Sequence, residues 1–200
     1  MRQDFSNISE KTLSELFPVI LEPHNPEWIR YYYVERKFLE SLFGDKILRI
    51  NHIGSTSVPG LIAKPTIDIL LEIPKDTDLS LITEKMRDEG YIVNTLEKGM
   101  IMYLKGYTPR GFEGQCVHIH VRSYNDWDEL YFRDYLIIHP EIAQEYGKFK
   151  IMLREKYVHD RDGYTNAKGE FVRKYTALAR TEFPNRYAPS IFEKLWTGIN

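Results

Sequence analysis

Apolar residues follow two periods along the chain, and the change between these periods divides the chain into elements. A spacing of three to four residues predicts helices at residues 8–18, 26–43, 79–89, 125–138, 140–159 and 165–181. Short apolar or alternating runs predict strands at residues 19–22, 46–53, 66–73, 91–94, 100–105 and 116–122. The predicted fold class is therefore mixed α/β (α+β), with a mixed β-sheet core, flanking helices and a helical C-terminal part after about residue 122.

The same pattern divides the chain into three parts. Residues 1–22 are predicted to form an N-terminal helix and an edge segment, residues 23–180 one domain, and residues 181–200 a C-terminal tail. Glycine and proline predict a loop at residues 108–114 and a turn at residues 160–163. The second helix should bury one aromatic and aliphatic stripe, formed by Trp28, Tyr31, Tyr32, Phe38, Leu39 and Leu42.

Composition limits the kinds of function that fit the chain. Hydrophobic residues make up 42% of the 200 residues, which allows a sizeable core. A formal net charge of −2 gives no overall field that would attract nucleic acid. The single cysteine, Cys116, suits a reducing compartment, and no apolar run approaches the roughly 20 residues that cross a bilayer. We therefore expect a cytoplasmic protein with no membrane partner, whose oligomeric state the sequence leaves open.

A turn of small residues separates two of the predicted strands and is the first candidate site. It consists of Gly54, Ser55, Thr56 and Ser57. Glycine allows a sharp turn and a close approach of another group, and free N–H groups and hydroxyls in such a turn can bind phosphate oxygens. The hydroxyls could equally cap the turn itself. Lys64 follows and could neutralise a phosphate, or it could simply be solvated.

Two carboxylates on the strand after this turn are candidate catalytic groups together with Lys64. Asp68 lies between Ile67 and Ile69, and an aspartate is disfavoured in a strand and costly to bury unpaired. This position indicates a metal ligand, although a carboxylate held by its neighbours is the alternative. Glu72 points to the same side of the strand but lies about 6–7 Å further along than position 70.

Alternating histidines on a later strand are candidate metal ligands. His118 and His120 face the same side of the strand, so both imidazoles can reach one point. With Asp68 as a third ligand they would suit Zn²⁺ or Mn²⁺ better than Mg²⁺. Hydrogen bonds from the two histidines to the backbone are the alternative. His52 could join this set or brace the small-residue turn. The cofactor expected from these residues is a divalent metal, Mg²⁺, Mn²⁺ or Zn²⁺.

Several motifs together resemble the GrpB (UPF0157) family, whose fold is nucleotidyltransferase-like. They are HIGSTSVPGL at residues 52–61, KPTIDI at 64–69, HIHV at 118–121, FRDYL at 132–136, HP at 139–140 and EY at 145–146. The resemblance implies a sheet core followed by a helical part that closes over a substrate, with Arg133, Tyr164 and Lys168 as candidate residues of that wall. Leu70 departs from the superfamily pattern, because a second carboxylate usually stands there.

Two functions fit these observations. The first is a metal-dependent enzyme that transfers a nucleotidyl or phosphoryl group, with a nucleotide or phosphorylated small molecule as substrate. Here Gly54, Ser55, Thr56, Ser57, Arg133 and Lys168 would bind phosphate. The second is a catalytically inactive module that binds such a ligand, and Leu70 in place of the second carboxylate favours it. GrpB-type domains also occur fused to dephospho-CoA kinase, so the resemblance implies a nucleotide or coenzyme A context.

Overall fold

A five-stranded mixed β-sheet forms the centre of the protein. The computed structural model describes residue 5 and residues 8–97 and 100–189. The strands are β1 (Arg49–Ile53), β2 (Thr66–Ile73), β3 (Ile92–Glu97), β4 (Met100–Thr108) and β5 (Gly111–Ser123). Their order across the sheet is β1-β2-β5-β4-β3. Only the β2–β5 pair is parallel, and the other three pairs are antiparallel. The predicted mixed α/β fold with a mixed sheet is confirmed.

Along the described part of the chain, two α-helices precede the first strand, one lies between the second and third strands, and four follow the last strand. They are α1 (Glu10–Leu16), α2 (Trp28–Phe43), α3 (Ser80–Asp88), α4 (Asp128–Ile138), α5 (Pro140–Lys156), α6 (Arg161–Ala167) and α7 (Gly169–Glu182). Within the described ranges, none of these helices combines the length and apolar character needed to cross a membrane. The helical C-terminal part predicted from the sequence is present as α4–α7.

The main hydrophobic core lies on one face of the sheet. Alternate residues of β2 point into it, and Ile67, Ile69 and Leu71 are buried there. Strands β4 and β5 add their own alternate residues, and α2 and α3 cover this face. The period of two means that the intervening residues of β2 and β5 must point to the opposite face. Asp68, His118 and His120 belong to that second set.

Helix α4 covers part of the opposite face. Leu130 of α4 packs against Ile53 and Leu70, and all three are buried. The loop that leads from β5 into α4 is fixed by Arg49, which donates to Glu72 at 2.8 Å and to the carbonyl of Asn125 at 2.6 Å. The rest of this face remains open as a cleft between the sheet and the C-terminal helices.

Some predicted elements differ from the structure. Residues 19–22 do not form a strand: they make a single bridge between Glu22 and Ala63. The loop predicted at 108–114 is mostly strand, because β4 and β5 continue to a two-residue turn closed by Thr108, whose hydroxyl donates to the Gly111 carbonyl at 3.0 Å. Tyr31, expected in the buried stripe, is 39% exposed.

Two further boundaries differ. The turn predicted at 160–163 instead begins α6, since the Asp160 carboxylate accepts the Gly163 N–H at 2.7 Å and caps the helix. The strand predicted from residue 46 begins at Arg49, because a short 3-10 turn occupies Gly44–Lys46. Residues 190–200 of the predicted tail lie outside the described part of the chain.

Candidate functional site

Three side chains of the predicted metal set meet on the open face of the sheet. Strands β2 and β5 are parallel neighbours with Asp68 opposite His118, so His120 lies on the same side one pleat further along. The Asp68 Oδ1 atom lies 3.1 Å from His118 Nδ1 and 3.8 Å from His120 Nε2. One ligand atom from each residue lies within 4.8 Å of the others. Ligand atoms on one tetrahedral zinc stand roughly 3–4 Å apart, so the donor set fits a transition metal.

The charge of Asp68 is favoured by the two imidazoles. Burial by itself raises the pKa of this carboxyl, but the combined interactions with His118 and His120 outweigh burial and lower the pKa well below its usual range. The Asp68 side chain keeps 26% of its surface exposed. An ionised carboxylate that still reaches the cleft is therefore available to a cation at neutral pH.

Gly54 lets the small-residue turn lie directly against Asp68. Its backbone has φ +70° and ψ −176°, a region open essentially only to glycine. A Cβ added at Gly54 would lie 2.4 Å from Asp68 Oδ2. The turn and the carboxylate, predicted from the sequence to share a site, are therefore in contact distance, and this contact depends on the missing side chain.

A buried chain of hydrogen bonds holds this turn in place. The Thr56 hydroxyl donates to the Thr66 carbonyl at 2.9 Å and lies 3.0 Å from His52 Nε2. Burial lowers the pKa of His52 to about 4, so the ring is neutral and Nε2 can donate to Thr56. Tyr32 stacks on this ring. Thus His52 braces the turn instead of joining the metal set, and the Thr56 hydroxyl is used inside the fold.

The remaining residues of the turn divide between the fold and the cleft. The Ser57 hydroxyl donates to the Gly54 carbonyl at 2.6 Å and so caps the turn. Ser55 and Gly54 line the cleft. The Ser55 hydroxyl accepts a hydrogen bond from Lys150 at 3.0 Å. Of the four residues of this turn, Gly54 and Ser55 are therefore the two that face the open volume.

Lys64 and Lys168 meet at one aromatic ring on the wall of the cleft. The ammonium of Lys64 lies 5.5 Å from the centre of the Tyr164 ring, and that of Lys168 lies 4.5 Å from it. Lys64 precedes β2, whereas Lys168 lies between α6 and α7. The fold thus places Lys64, predicted beside the small-residue turn, next to Tyr164 and Lys168, which were predicted for the helical wall.

Lys150 and Arg161 add two cations that sequence reasoning missed. Lys150 is only 2% exposed and donates to Ser55 and to the Ile62 carbonyl. Arg161 donates to the Tyr107 hydroxyl at 2.9 Å. Both residues line the cleft. Lys150 follows Tyr146 by one helical turn, and its ammonium lies over that ring. In the sequence this spacing is typical of any helix, so it does not mark Lys150 as a residue of the cleft.

Burial and mutual repulsion lower the pKa values of the three lysines. Burial is the largest cause in each case, followed for Lys150 and Lys64 by neighbouring cations, among them Lys168. The resulting pKa is about 6 for Lys150, about 7 for Lys64 and about 8 for Lys168. Over the described residues, neither these lysines nor Arg161 has a carboxylate oxygen within ion-pair distance. The wall therefore gathers four basic groups that make no ion pair with the described carboxylates.

Glu72, predicted as a possible catalytic carboxylate, lies apart from the metal set. It is fully buried and makes a two-pronged ion pair with Arg49, and it also accepts the Asn125 N–H at 3.2 Å. Burial raises the pKa of Glu72 despite this partner. Its contacts fix β1 and the loop before α4, so the geometry gives it a structural role.

Arg133, predicted to bind phosphate, lines the cleft but is already engaged. Its guanidinium donates to Asp134 at 2.8 Å, to the His52 carbonyl at 3.0 Å and to the Tyr187 hydroxyl at 3.0 Å. These bonds hold α4 against β1 and against the segment after α7. Arg133 therefore contributes positive charge at the edge of the cleft while its donors serve the fold.

Tyr107 connects the metal set to the cationic wall. Its hydroxyl lies 2.8 Å from His118 Nε2 and accepts from Arg161. If His118 binds a cation through Nδ1, its proton must lie on Nε2, where the Tyr107 oxygen can accept it. Such a partner fixes the orientation of a metal-binding imidazole. The cleft that contains both parts has a volume of about 1560 Å³, ample for a nucleotide-sized ligand.

Known proteins similar to this chain agree with the resemblance in its motifs. A family model described as GrpB protein matches residues 18–178. A UPF0157 protein of Pseudomonas aeruginosa is 35% identical over 167 residues, which cover 81% of this chain and 69% of that protein. The glutamate-rich protein GrpB of Alkalihalophilus pseudofirmus is 34% identical over 160 residues, which cover 77% of this chain and 91% of that protein.

A solved structure and a further sequence relative are also similar to this chain. A crystal structure of the conserved protein GrpB from Enterococcus faecalis is 28% identical with a TM-score of 0.73, covering 82% of this chain and 99% of that one. A dephospho-CoA kinase of Mycolicibacterium paratuberculosis is 24% identical over 193 residues, which cover 84% of this chain and 47% of that protein. From the family match and the identities to two curated relatives, the chain belongs to the GrpB family.

Proposed function

We propose that this protein binds a nucleotide or another phosphorylated small molecule together with a divalent metal, and that it transfers a nucleotidyl or phosphoryl group. The observation that carries the proposal is the position of two features in one cleft. Asp68, His118 and His120 converge there, and lysines that form no ion pair with a carboxylate of the described residues line the same cleft. A metal next to unpaired cations suits a ligand whose phosphates bridge the two.

The family context supports the same substrate class. The turn that begins with Gly54 and Ser55, followed by Asp68, resembles the phosphate and metal elements of nucleotidyltransferase-like proteins. One relative bears the name dephospho-CoA kinase, which supports a setting of phosphoryl transfer and phosphorylated ligands.

Each residue of the site has a distinct task in this proposal. Asp68, His118 and His120 hold the cation, which when bound would polarise a phosphoryl oxygen and stabilise its negative charge. The Ser55 hydroxyl and the N–H groups of the turn bind phosphate oxygens. Lys64 and Lys168 neutralise the charge that develops on the transferred group. The buried position of these lysines strengthens that interaction, because little water screens it.

A binding module without transfer chemistry is the second candidate function. Leu70 favours it, since this side chain is fully buried against Ile53 and Leu130 where the superfamily pattern has a second carboxylate. Two-metal transfer needs carboxylates that hold two ions about 4 Å apart. With Leu70 and the engaged Glu72, the described site offers one carboxylate to a metal.

Metal binding is the first test. We expect Mn²⁺ or Zn²⁺ to raise the melting temperature of the metal-free protein more than Mg²⁺ does, because two of the three ligands are imidazoles. Asp68→Asn and His120→Ala should each reduce that shift. His139→Ala is the matched control, since His139 lies outside the cleft lining and its loss should leave the shift intact. Absence of any heat with Zn²⁺ or Mn²⁺ in titration calorimetry would refute a metal site formed by the protein alone.

Turnover separates the two candidate functions. Wild-type protein is incubated with each nucleoside triphosphate and Mn²⁺ or Mg²⁺, and release of phosphate or pyrophosphate is followed. An enzyme should give turnover that Asp68→Asn abolishes. Saturable nucleotide binding without turnover would assign the protein to the binding module, and failure of every nucleotide to bind would exclude nucleotides as the ligand in both candidate functions.

A further inference from the structure

Four basic side chains lie on the wall of the cleft, and when all four are protonated their charge exceeds that of one phosphate group. Lys64, Lys150, Lys168 and Arg161 come from separate segments and all line the same volume. A single phosphate monoester carries about two negative charges near neutral pH. Burying lysines is costly unless a partner compensates their charge. The described carboxylates do not supply one within ion-pair distance.

The contacts of these cations also distribute them along the wall. Lys150 lies at one end, where it donates to Ser55 of the turn. Lys64 and Lys168 lie at the Tyr164 ring. Arg161 lies at the other end, at the Tyr107 hydroxyl, which also contacts His118 of the metal set. Lys150 interacts electrostatically with Lys64 and Lys168, and these two interact with Arg161, so a chain of linked phosphates can contact the four groups in turn.

We propose that Lys64, Lys150, Lys168 and Arg161 form a subsite for a chain of at least two linked phosphate groups, and that this subsite binds the chain without any metal. The inference rests on the proposed function and deepens it by naming the ligand as an oligophosphate, such as a nucleoside di- or triphosphate. The metal set then acts on whichever phosphate reaches Asp68, while the lysines and Arg161 hold the others.

Lys150 gives this subsite a property that a surface patch would lack. Its ammonium is buried among Ser55, the Ile62 carbonyl and the Tyr146 ring, and the charged groups that act on it are Lys168 and Lys64. With a pKa of about 6, Lys150 is mostly neutral at pH 7.5 in the free protein. An incoming anion favours the charged amine, so binding of the phosphate chain should take up protons from solution.

The test uses inorganic phosphates as probes on the full chain. Metal is removed by dialysis against a chelator and then into metal-free buffer. Titration calorimetry follows orthophosphate, pyrophosphate and tripolyphosphate at pH 7.5, each in two buffers with different ionisation enthalpies. We expect affinity to rise at least about tenfold from orthophosphate to tripolyphosphate, since each charge-assisted hydrogen bond contributes that much or more. Tripolyphosphate binding should be accompanied by net proton uptake.

Variants identify the residues responsible. Lys150→Met and Lys168→Met should each weaken tripolyphosphate binding about tenfold or more, and Lys150→Met should also reduce the proton uptake. Lys148→Met is the matched control, because Lys148 is exposed on the same helix and does not line the cleft. Its binding and proton uptake should equal those of the wild type. Lys168 is less buried than Lys150, so its variant keeps the test decisive if Lys150→Met fails to fold.

Specific outcomes would overturn the inference. Equal affinities for orthophosphate and tripolyphosphate would show that the wall holds one phosphate only. Equal binding by Lys150→Met, Lys168→Met and Lys148→Met would place the anion elsewhere. If tripolyphosphate fails to bind in metal-free buffer while metal and nucleotide still bind together, the subsite is refuted and the proposed function stands.

Discussion

At Gly54 the backbone conformation and the available space both exclude a side chain. We predict that Gly54→Ala destabilises the protein by roughly 1–3 kcal/mol from backbone strain, and that it weakens metal binding as well. The second effect follows because the new Cβ would meet Asp68 Oδ2 at 2.4 Å, so the carboxylate must move away from His118 and His120. Urea denaturation measures the first effect, and calorimetry with Mn²⁺ or Zn²⁺ measures the second.

Gly60→Ala is the control that introduces backbone strain without a steric clash against a neighbouring side chain. Gly60 also has a positive φ, of +76°, but a Cβ there would meet nothing within 4 Å. It should therefore lose stability by about 1–2 kcal/mol and keep its metal affinity. Equal metal affinity in Gly54→Ala and Gly60→Ala would contradict the idea that Gly54 positions the carboxylate.

Tyr107 is predicted to be a positioning residue for the metal set. Tyr107→Phe removes the hydroxyl that contacts His118 Nε2 and Arg161, and loss of such partners typically costs 10–100-fold in metal affinity. Tyr103→Phe is the control, because Tyr103 lies on the same strand but faces the core, where its hydroxyl lies 2.6 Å from that of Thr83. The measurement is the Kd for Zn²⁺ by competition with a chelating dye. Equal losses of affinity in Tyr107→Phe and Tyr103→Phe would assign the effect to general stability, and an unchanged affinity in Tyr107→Phe would contradict the positioning role.

At the scale of single residues, alternation along strands made part of the site predictable. Asp68, His118 and His120 needed only the period of two and the assumption that their strands are neighbours. Lys150 and Arg161 could not be found this way, because their burial depends on how α5 and α6 pack over the cleft. The sequence alone also does not show whether a carboxylate will pair with a cationic side chain or bind a metal. Glu72 satisfies its charge with Arg49 and not with a metal.

At the scale of elements, the parallel pairing of β2 with β5 creates the site. It places residues that are distant in sequence directly opposite each other, with Asp68 next to His118. Long or periodic segments such as α2 and β2 were predicted within a few residues. Short elements were missed where glycine and proline suggested a loop, at the β4–β5 turn and at α6. In both places a side-chain hydrogen bond, from Thr108 or to Asp160, stabilises the regular structure.

Helix α4 explains why position 70 is apolar, and it leads to a prediction. Leu130 and Ile53 close over Leu70, which is fully buried. Leu70→Asp restores the carboxylate of the superfamily pattern but buries an unpaired charge, so it should cost on the order of 3–5 kcal/mol of stability and give no second metal. Leu70→Met keeps the volume and should cost less than about 1.5 kcal/mol. Urea denaturation and metal stoichiometry from calorimetry test both. Two metals bound per folded Leu70→Asp chain would contradict this account.

At the scale of the whole molecule, the formal net charge of −2 conceals a strongly uneven distribution. Most acidic residues lie on the outside of the fold, whereas one wall of the cleft gathers Lys64, Lys150 and Lys168. Composition gives no sign of an overall field for nucleic acid, and it could not reveal a local site. The site arises only when the helical C-terminal part is folded against the sheet.

This arrangement should make the stability of the metal-free and phosphate-free protein depend on pH. The three lysines have pKa values of about 6 to about 8 in the fold, against 10.5 ordinarily. Between pH 7 and pH 9 the unfolded chain therefore binds more protons than the folded chain. Stability rises with pH wherever the unfolded state binds more protons, so the free energy of unfolding should increase across this interval.

The interval is chosen so that other groups do not mask the effect. Burial lowers the pKa of His52 to about 4, which affects stability only below pH 6.5. Burial raises the pKa of Cys116 from 9.0 to about 11, and this acts in the opposite direction above pH 9. Urea denaturation at pH 7, 8 and 9 measures the slope, which should be smaller in Lys150→Met and unchanged in Lys148→Met. A stability that is flat or falls from pH 7 to pH 9 would mean that the lysines of the empty cleft are already compensated within the fold.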